Sequence, residues 1–179
     1  MRFFGKAFLL KKLIMDYRNI EITKIKYFHG NLYFNDNRVL VSCPIMECYS
    51  PVQKYFDKYE FKFLLDLNNP EQKGFYHFIK SLEENNKLHT NHLAEYKSQL
   101  SILTNDKCIL NVKVPFRYDR YEVNVEGRGD KYMTSLDEIV KGDMIKPKIQ
   151  MTKTWCFSNK GKLMSGCIME LKEVYVLGK

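Results

Sequence analysis

Alternating apolar and polar positions dominate the chain, and a helical period interrupts them once. "IEITKIKYFHGNLYF" predicts two strands joined at His29-Gly30-Asn31, with Ile20, Ile22 and Tyr27 among the candidates for one face. "NDNRVLVSCPI" follows, a polar turn at Asn35-Asp36-Asn37 and then a β-rich run ending at Pro44. In "YEFKFLLDL", residues 59–67, Tyr59, Phe61, Phe63, Leu65 and Leu67 fall on one side of a fourth strand. The period then changes. "NNPEQKGFYHFIKSLEENN" offers Asn69 as N-cap, Pro70 at the first helical position, and Phe75, Phe78, Ile79 and Leu82 at helical spacing. The polar span "EENNKLHTNHLAEYKSQLSILTND" predicts a second, weaker helix or a long loop, with exposed, inert histidines.

The second half returns to strands. "CILNVKVPF" sets Leu110, Val112 and Val114 against Ile109, Asn111 and Lys113 on the other face. "RYEVNVEGRGDKYM" reads as a strand entering a Gly-rich turn; its Arg128-Gly129-Asp130 tripeptide recurs by chance and carries no weight. "TSLDEIVKGD" predicts a short helix, capped by Thr134 or Ser135 and ended by Gly142.

In "IKPKIQMTKTWCFS" the odd positions Ile145, Ile149, Met151, Trp155 and Phe157 are apolar, and the even ones are polar or basic. Trp155 is therefore expected in the core by parity, and Lys153 on the apolar face, its head reaching the edge. Asn159-Lys160-Gly161-Lys162 makes a turn, and "LMSGCIMELKEVYV" pairs back as a long hairpin, with Gly166 expected at a bulge or bend. Pro147 favours the start of the strand or an edge. The fold class is mainly β with inserted helices (α+β). An oligonucleotide-binding (OB) five-stranded barrel with a long C-terminal β-hairpin fits these counts, and an α+β sandwich fits them as well.

Composition supports a packed globular chain: 45% hydrophobic residues and 14% aromatic ones are too many for a disordered segment. The net charge is +8, unevenly placed. Residues 1–14 carry Arg2, Lys6, Lys11 and Lys12 with no acid, and 141–162 carry six lysines against Asp143. Such stripes suit a phosphate backbone or an anionic membrane. Residues 1–14 read as a basic amphipathic extension, with Met15 a natural start ahead of a single domain, 15–179, whose helical insertion lies around 70–104. A surface-seeking helix or an organellar presequence is the other reading of 1–14. Nothing approaches the roughly 18 apolar residues that span a bilayer.

The five cysteines, odd in number and without CxxC spacing, read as reduced core thiols of an intracellular protein, not as metal ligands. Catalysis is poorly served. The chain has no phosphate-binding Gly-rich loop, no HExxH and no Gly-x-Ser-x-Gly elbow, and Asp137-Glu138 point apart. It reads as a non-enzyme without cofactor.

Nucleic-acid binding is better served. "KVPFRYDRYEV" interleaves Lys113, Phe116, Arg117, Tyr118, Arg120 and Tyr121, cations to follow phosphates and flat rings for splayed bases. Against this, Phe116 and Tyr121 could be core residues, and the arginines could pair with Asp119 and Glu122. Lys146, Lys148 and Lys153, with Trp155, form a second constellation on the long strand.

The C-terminal order, a "KVP" strand, a Tyr/Arg-rich stretch, "SLDEIVKGD" and "IKPKIQMTKTWCFSNKGKLMSGCIMELKEVYV", resembles the single-stranded DNA-binding proteins of large eukaryotic DNA viruses and related phage replication proteins. The resemblance covers residues 108–176; the first half, with "ITKIKY" and "SCPIMECY", is similar in layout only. It implies an OB-fold core that coats single strands in replication or recombination without sequence preference or cofactor. Residues 116–121 and 145–157 would line its groove. Its partners would be single-stranded DNA, with RNA open because stacking does not distinguish the sugars, then replication proteins and a second copy of the chain. A viral protein of this kind would work in the host cytoplasm or nucleus. The sequence ends "VYVLGK" without the acidic, aromatic-ended tail of phage members, so recruitment of partners by that route is not expected. Two rivals remain: an interaction or scaffold module using the exposed hairpin, and a membrane-surface protein working through residues 1–14.

Overall fold

The computed structural model describes residues 13–90, 93–127 and 135–179; most of the basic N-terminal stretch and the Arg128-Gly129-Asp130 tripeptide lie outside them. β1 (Leu13–Asp16) pairs in parallel with β4 (Asn37–Ser42), so the expected boundary after residue 14 runs through a strand. The first predicted strand is shorter than its pattern suggested. Ile20 and Ile25 reach the core from two 3-10 turns, Tyr17–Asn19 and Ile22–Lys24, the first capped by Asp16. Only β2 (Lys26–Phe28) is extended, and it turns through His29 and Gly30 into β3 (Asn31–Phe34). Both turn residues have positive φ, as a two-residue hairpin of the type I′ class requires.

β5 (Met46–Tyr55) and β6 (Lys58–Asp66) form the next hairpin. α1 (Pro70–Leu88) begins as expected: the Asn69 side chain accepts from the Glu71 and Gln72 amides, and Phe75, Phe78, Ile79 and Leu82 are buried. Beyond it the expected helix or loop is instead two strands, β7 (Glu95–Lys97) and β8 (Leu100–Thr104), paired with the last strand and with β9 (Lys107–Val114). Polar residues of α1 hold this segment. The Glu83 carboxylate accepts from Ser98 Oγ at 2.6 Å and the Gln99 amide at 2.8 Å. Asn86, fully buried, accepts from the Tyr27 hydroxyl and donates to that of Tyr96. His89 is exposed and stacks on Tyr27, with ring centroids 4.0 Å apart.

A tight hairpin, β10 (Phe116–Arg117) and β11 (Arg120–Tyr121), precedes β12 (Asn124–Gly127). The expected short helix is one 3-10 turn, Leu136–Glu138, capped by Ser135. β13 (Met144–Asn159) and β14 (Lys162–Gly178) are the predicted long hairpin. Pro147 is the fourth residue of β13, and its carbonyl accepts from the Cys43 amide.

Five of these strands close a ring in which β5 pairs β6, β6 pairs β9, β9 pairs β14, β14 pairs β13 and β13 returns to β5. The β9–β14 contact is parallel and the others antiparallel. Numbered along the chain, the ring runs 1-2-3-5-4-1, an OB-like Greek-key barrel, mainly β with one α-helix among the described residues. The remaining strands extend or cover it. Phe61, Phe63 and Leu65 from β6, Leu110 and Val112 from β9, Ile149 and Met151 from β13, and Met169 and Leu171 from β14 fill the interior. Four of the five cysteines are buried among them, with Cys156 exposed. Burial pushes the Cys108 thiol up to about 11 and those of Cys48 and Cys167 to about 12, so they pack as neutral groups. Among the described residues no helix is long and apolar enough to cross a membrane.

Glu83 carries a pH signature. Burial raises its pKa above the ordinary 4.5, against the lowering effect of its bonds from Ser98 and Gln99. A carboxyl raised on folding contributes stability that is fully present below its unfolded value and lost as pH rises through the folded one. Glu83→Gln, which keeps the shape but not the charge, is therefore expected to gain stability relative to the parent between acidic and neutral pH. Glu83→Ala strands two donors and is expected to cost about 1–3 kcal/mol. Urea denaturation of the three proteins at both pH values checks this; a parent–Gln difference independent of pH would contradict it.

Candidate nucleic-acid interface

The outward positions of the barrel strands form a groove. β6 contributes Lys58 and Glu60, β9 Asn111 and Lys113, β13 Trp155, Phe157 and Asn159, and β14 Met164 and Ile168. Lys97, Ser98 and Gln99, between β7 and β8, complete a concavity of about 440 Å³. Gln99 is fixed there by donating to the Cys167 carbonyl and accepting from the Asn111 amide.

Trp155 faces this groove because the strand pattern breaks before it. A register shift between Met151 and Lys153 puts an extra residue into β13. After the shift, Thr154 is buried, its hydroxyl donating to the Gly30 carbonyl, and Lys153 is exposed beside the β2–β3 turn. The parity expectation for Trp155 and Lys153 is thereby reversed. Trp155 stacks with Phe157, their centroids 5.1 Å apart and planes 28° off parallel, and Phe157 is 52% exposed. Gly166 is not the expected bulge. It pairs in register with Trp155, whose ring lies over it; a Cβ there would sit 2.6 Å from Trp155 Cζ2.

Two strand turns flank the groove. Between β5 and β6, Tyr55 and Phe56 are exposed, Phe56 at 82% and with φ of 56°, a rare conformation for so bulky a residue. Between β13 and β14, Lys160 and Gly161 turn with positive φ. Among the described residues Lys58, Lys97, Lys160 and Lys162 form no ion pair, so their charges are available.

The structure divides the stretch 113–121. Lys113 lies in the groove, paired with Glu170 at 3.7 Å. Phe116, Arg120 and Tyr121 instead line a second hollow of about 490 Å³ with Tyr59, whose side chain leaves β6 on the face opposite Lys58 and Glu60. Phe116 packs on Tyr59 at 4.5 Å. The Tyr121 hydroxyl donates to Asp137 at 3.0 Å, and burial together with that carboxylate pushes it up to about 12. Tyr118, 91% exposed, and Asp119 form the hairpin tip, and Arg117 pairs with Glu122 at 3.5 Å. Lys146 is exposed and Lys148 is paired with Glu173; neither of them, nor Lys153, lines the groove.

Outside the two constellations marked in the sequence lie Tyr55, Phe56 and Lys58 on and beside the first flanking turn, Lys160 and Lys162 at the second, and Lys97, Gln99 and the exposed Phe157 ring in the groove itself. The signal for the first three was present. "QKYFDKY", residues 53–59, interleaves cations and rings as densely as 113–121 does.

No family model matches the chain, and no curated protein matches it. Among solved structures, it is similar to a C-terminally truncated single-stranded DNA-binding protein from bacteriophage Enc34, at 13% identity and a TM-score of 0.50, covering 89% of this chain and 98% of that one. It is also similar to gp2.5, a single-stranded DNA-binding protein of bacteriophage T7, at 10% identity and a TM-score of 0.51, covering 79% of this chain and 87% of that one. At such identities the likeness is one of fold.

Proposed function

We propose that the chain binds single-stranded DNA in the groove without sequence preference, as a coating protein of replication or recombination, and is not an enzyme. The observation that carries this reading is the stacked Trp155–Phe157 pair, set in an outer groove of an OB-like barrel and flanked by unpaired lysines. Bases stack on the rings and lysines at the rim follow the phosphates, a combination that is indifferent to sequence because every base has a π-face. In barrels of this type the face of the second and third strands, with the 1–2 and 4–5 loops, holds oligonucleotides. Here those parts are β6, β9, the Tyr55–Lys58 turn and the Asn159–Lys162 turn. The names of the two phage proteins point the same way. An origin in a virus, whether of eukaryotes or of bacteria, and action inside the host cell belong to the same proposal.

Fluorescence anisotropy of a labelled single strand, titrated at two salt concentrations with duplex as competitor, tests the reading. Tight binding that falls with salt and that duplex displaces poorly is expected. Equal, weak binding of both forms would overturn it. Comparing RNA of the same sequence decides whether the 2′-hydroxyl matters.

A further inference from the structure

The groove is not uniformly basic. One transverse row of side chains runs from within it to its border: Glu60 and Lys113, opposite each other between β6 and β9, line the groove, and Glu170 stands beside Lys113 on β14. Directly opposed side chains on neighbouring strands interact, so one lysine lies between two carboxylates. Glu170 holds Lys113 at 3.7 Å and Lys172 at 2.7 Å, and is itself only 17% exposed. Glu60 is fixed by the Asn111 amide, which donates to it at 3.1 Å. Lys58, Lys97, Lys160 and Lys162, which form no ion pair among the described residues, are outside this row.

We propose that Glu60 and Glu170 limit affinity: Glu170 holds Lys113 and Lys172 as internal counterions, and both carboxylates repel the phosphates of a strand crossing this row. The inference rests on the single-strand reading above and names how that site is restrained. Two consequences follow. A lysine already neutralised by a carboxylate releases no counterion when DNA arrives, so it adds nothing to the salt dependence. A carboxylate in a partly buried groove also acts on a nearby phosphate with little screening, which weakens binding. The row therefore marks where strong phosphate contact ends.

The test compares the full chain with Glu60→Gln/Glu170→Gln, titrated with labelled oligo(dT) of about 20 nucleotides, longer than the site of one OB fold. Glutamine keeps the shape and can still accept from Asn111. The double variant is expected to bind about five-fold tighter or more at low salt. Its log K against log salt should be steeper by about 0.7 for each lysine released. Adding Lys113→Ala to it should give back one such step. Should the double variant fail to fold, Glu170→Gln alone, which leaves the Asn111–Glu60 bond in place, is expected to show the same direction.

The inference is overturned, with the DNA reading intact, if the parent binds and the variants bind no tighter at unchanged slope. It is likewise overturned if Glu21→Gln/Asp36→Asn, outside the groove, gives an equal gain, since net charge would then suffice. If neither parent nor variants bind, both readings fall.

Discussion

Alanine at both Trp155 and Phe157 is expected to lower affinity for single-stranded DNA by roughly 30- to 20,000-fold, since stacking contributes about 1–3 kcal/mol per base and two rings are lost. Phe157 is 52% exposed and Trp155 packs over a glycine at the barrel surface, so the change removes little core. Folding stability should fall far less than binding does. Gly166→Ala separates position from presence. Its methyl would meet the indole at 2.6 Å, so the ring must move while all aromatics remain. An intermediate loss of affinity is expected, with the oligonucleotide titration of each variant as the measurement. A loss below three-fold in the double variant would mean that these rings are not a base platform.

The largest effect on stability is expected at Phe61. Its side chain is fully buried on β6, which pairs with β5 on one side and β9 on the other, and its ring centroid lies 4.8 Å from that of Phe63. Strands hydrogen-bonded on both edges cannot shift to fill the space, so Phe61→Ala should leave most of its cavity open. A cost of about 3–5 kcal/mol is expected, lowering the melting temperature by about 6–20 °C in a chain of this size. Phe157→Ala, an exposed ring on the same barrel, should change stability by about 0.5 kcal/mol or less. Thermal denaturation of the two variants measures the contrast; equal costs would contradict the assignment of inner and outer faces.

The elements legible in the sequence are those whose pattern the fold leaves unbroken. α1 has its cap and its apolar face in one stretch, β6 and β9 alternate without interruption, and the β13–β14 turn is marked by Asn159 to Lys162. β5 was hidden because register shifts between Cys48 and Gln53, with Pro51 inside them, erase the alternation. β7 and β8 were hidden for another reason: they pair with β14 and β9, and β7 and the link between them are tied to Asn86 and Glu83 of α1, contacts that no local pattern encodes.

The site was half legible. Interleaved cations and rings do mark the barrel, but the same pattern in 113–121 supplies both a groove residue, Lys113, and the lining of a separate hollow. Which face a side chain takes depends on β13's extra residue near Thr152, and a strict two-residue period placed Trp155 on the wrong side of it. Charge was legible as composition but not as availability, because Lys113 and Lys148 meet Glu170 and Glu173 only once the strands pair.

Trp155 is the chain's single tryptophan, so its fluorescence reports the groove directly. Titrating the full chain with an unlabelled single strand, and separately with duplex of equal length, tests the central claim. Stacking of bases on Trp155 predicts saturable quenching by the single strand that reverses with added salt, and little change with duplex. An emission that stays constant while the single strand binds would place the DNA elsewhere on the molecule and contradict the account.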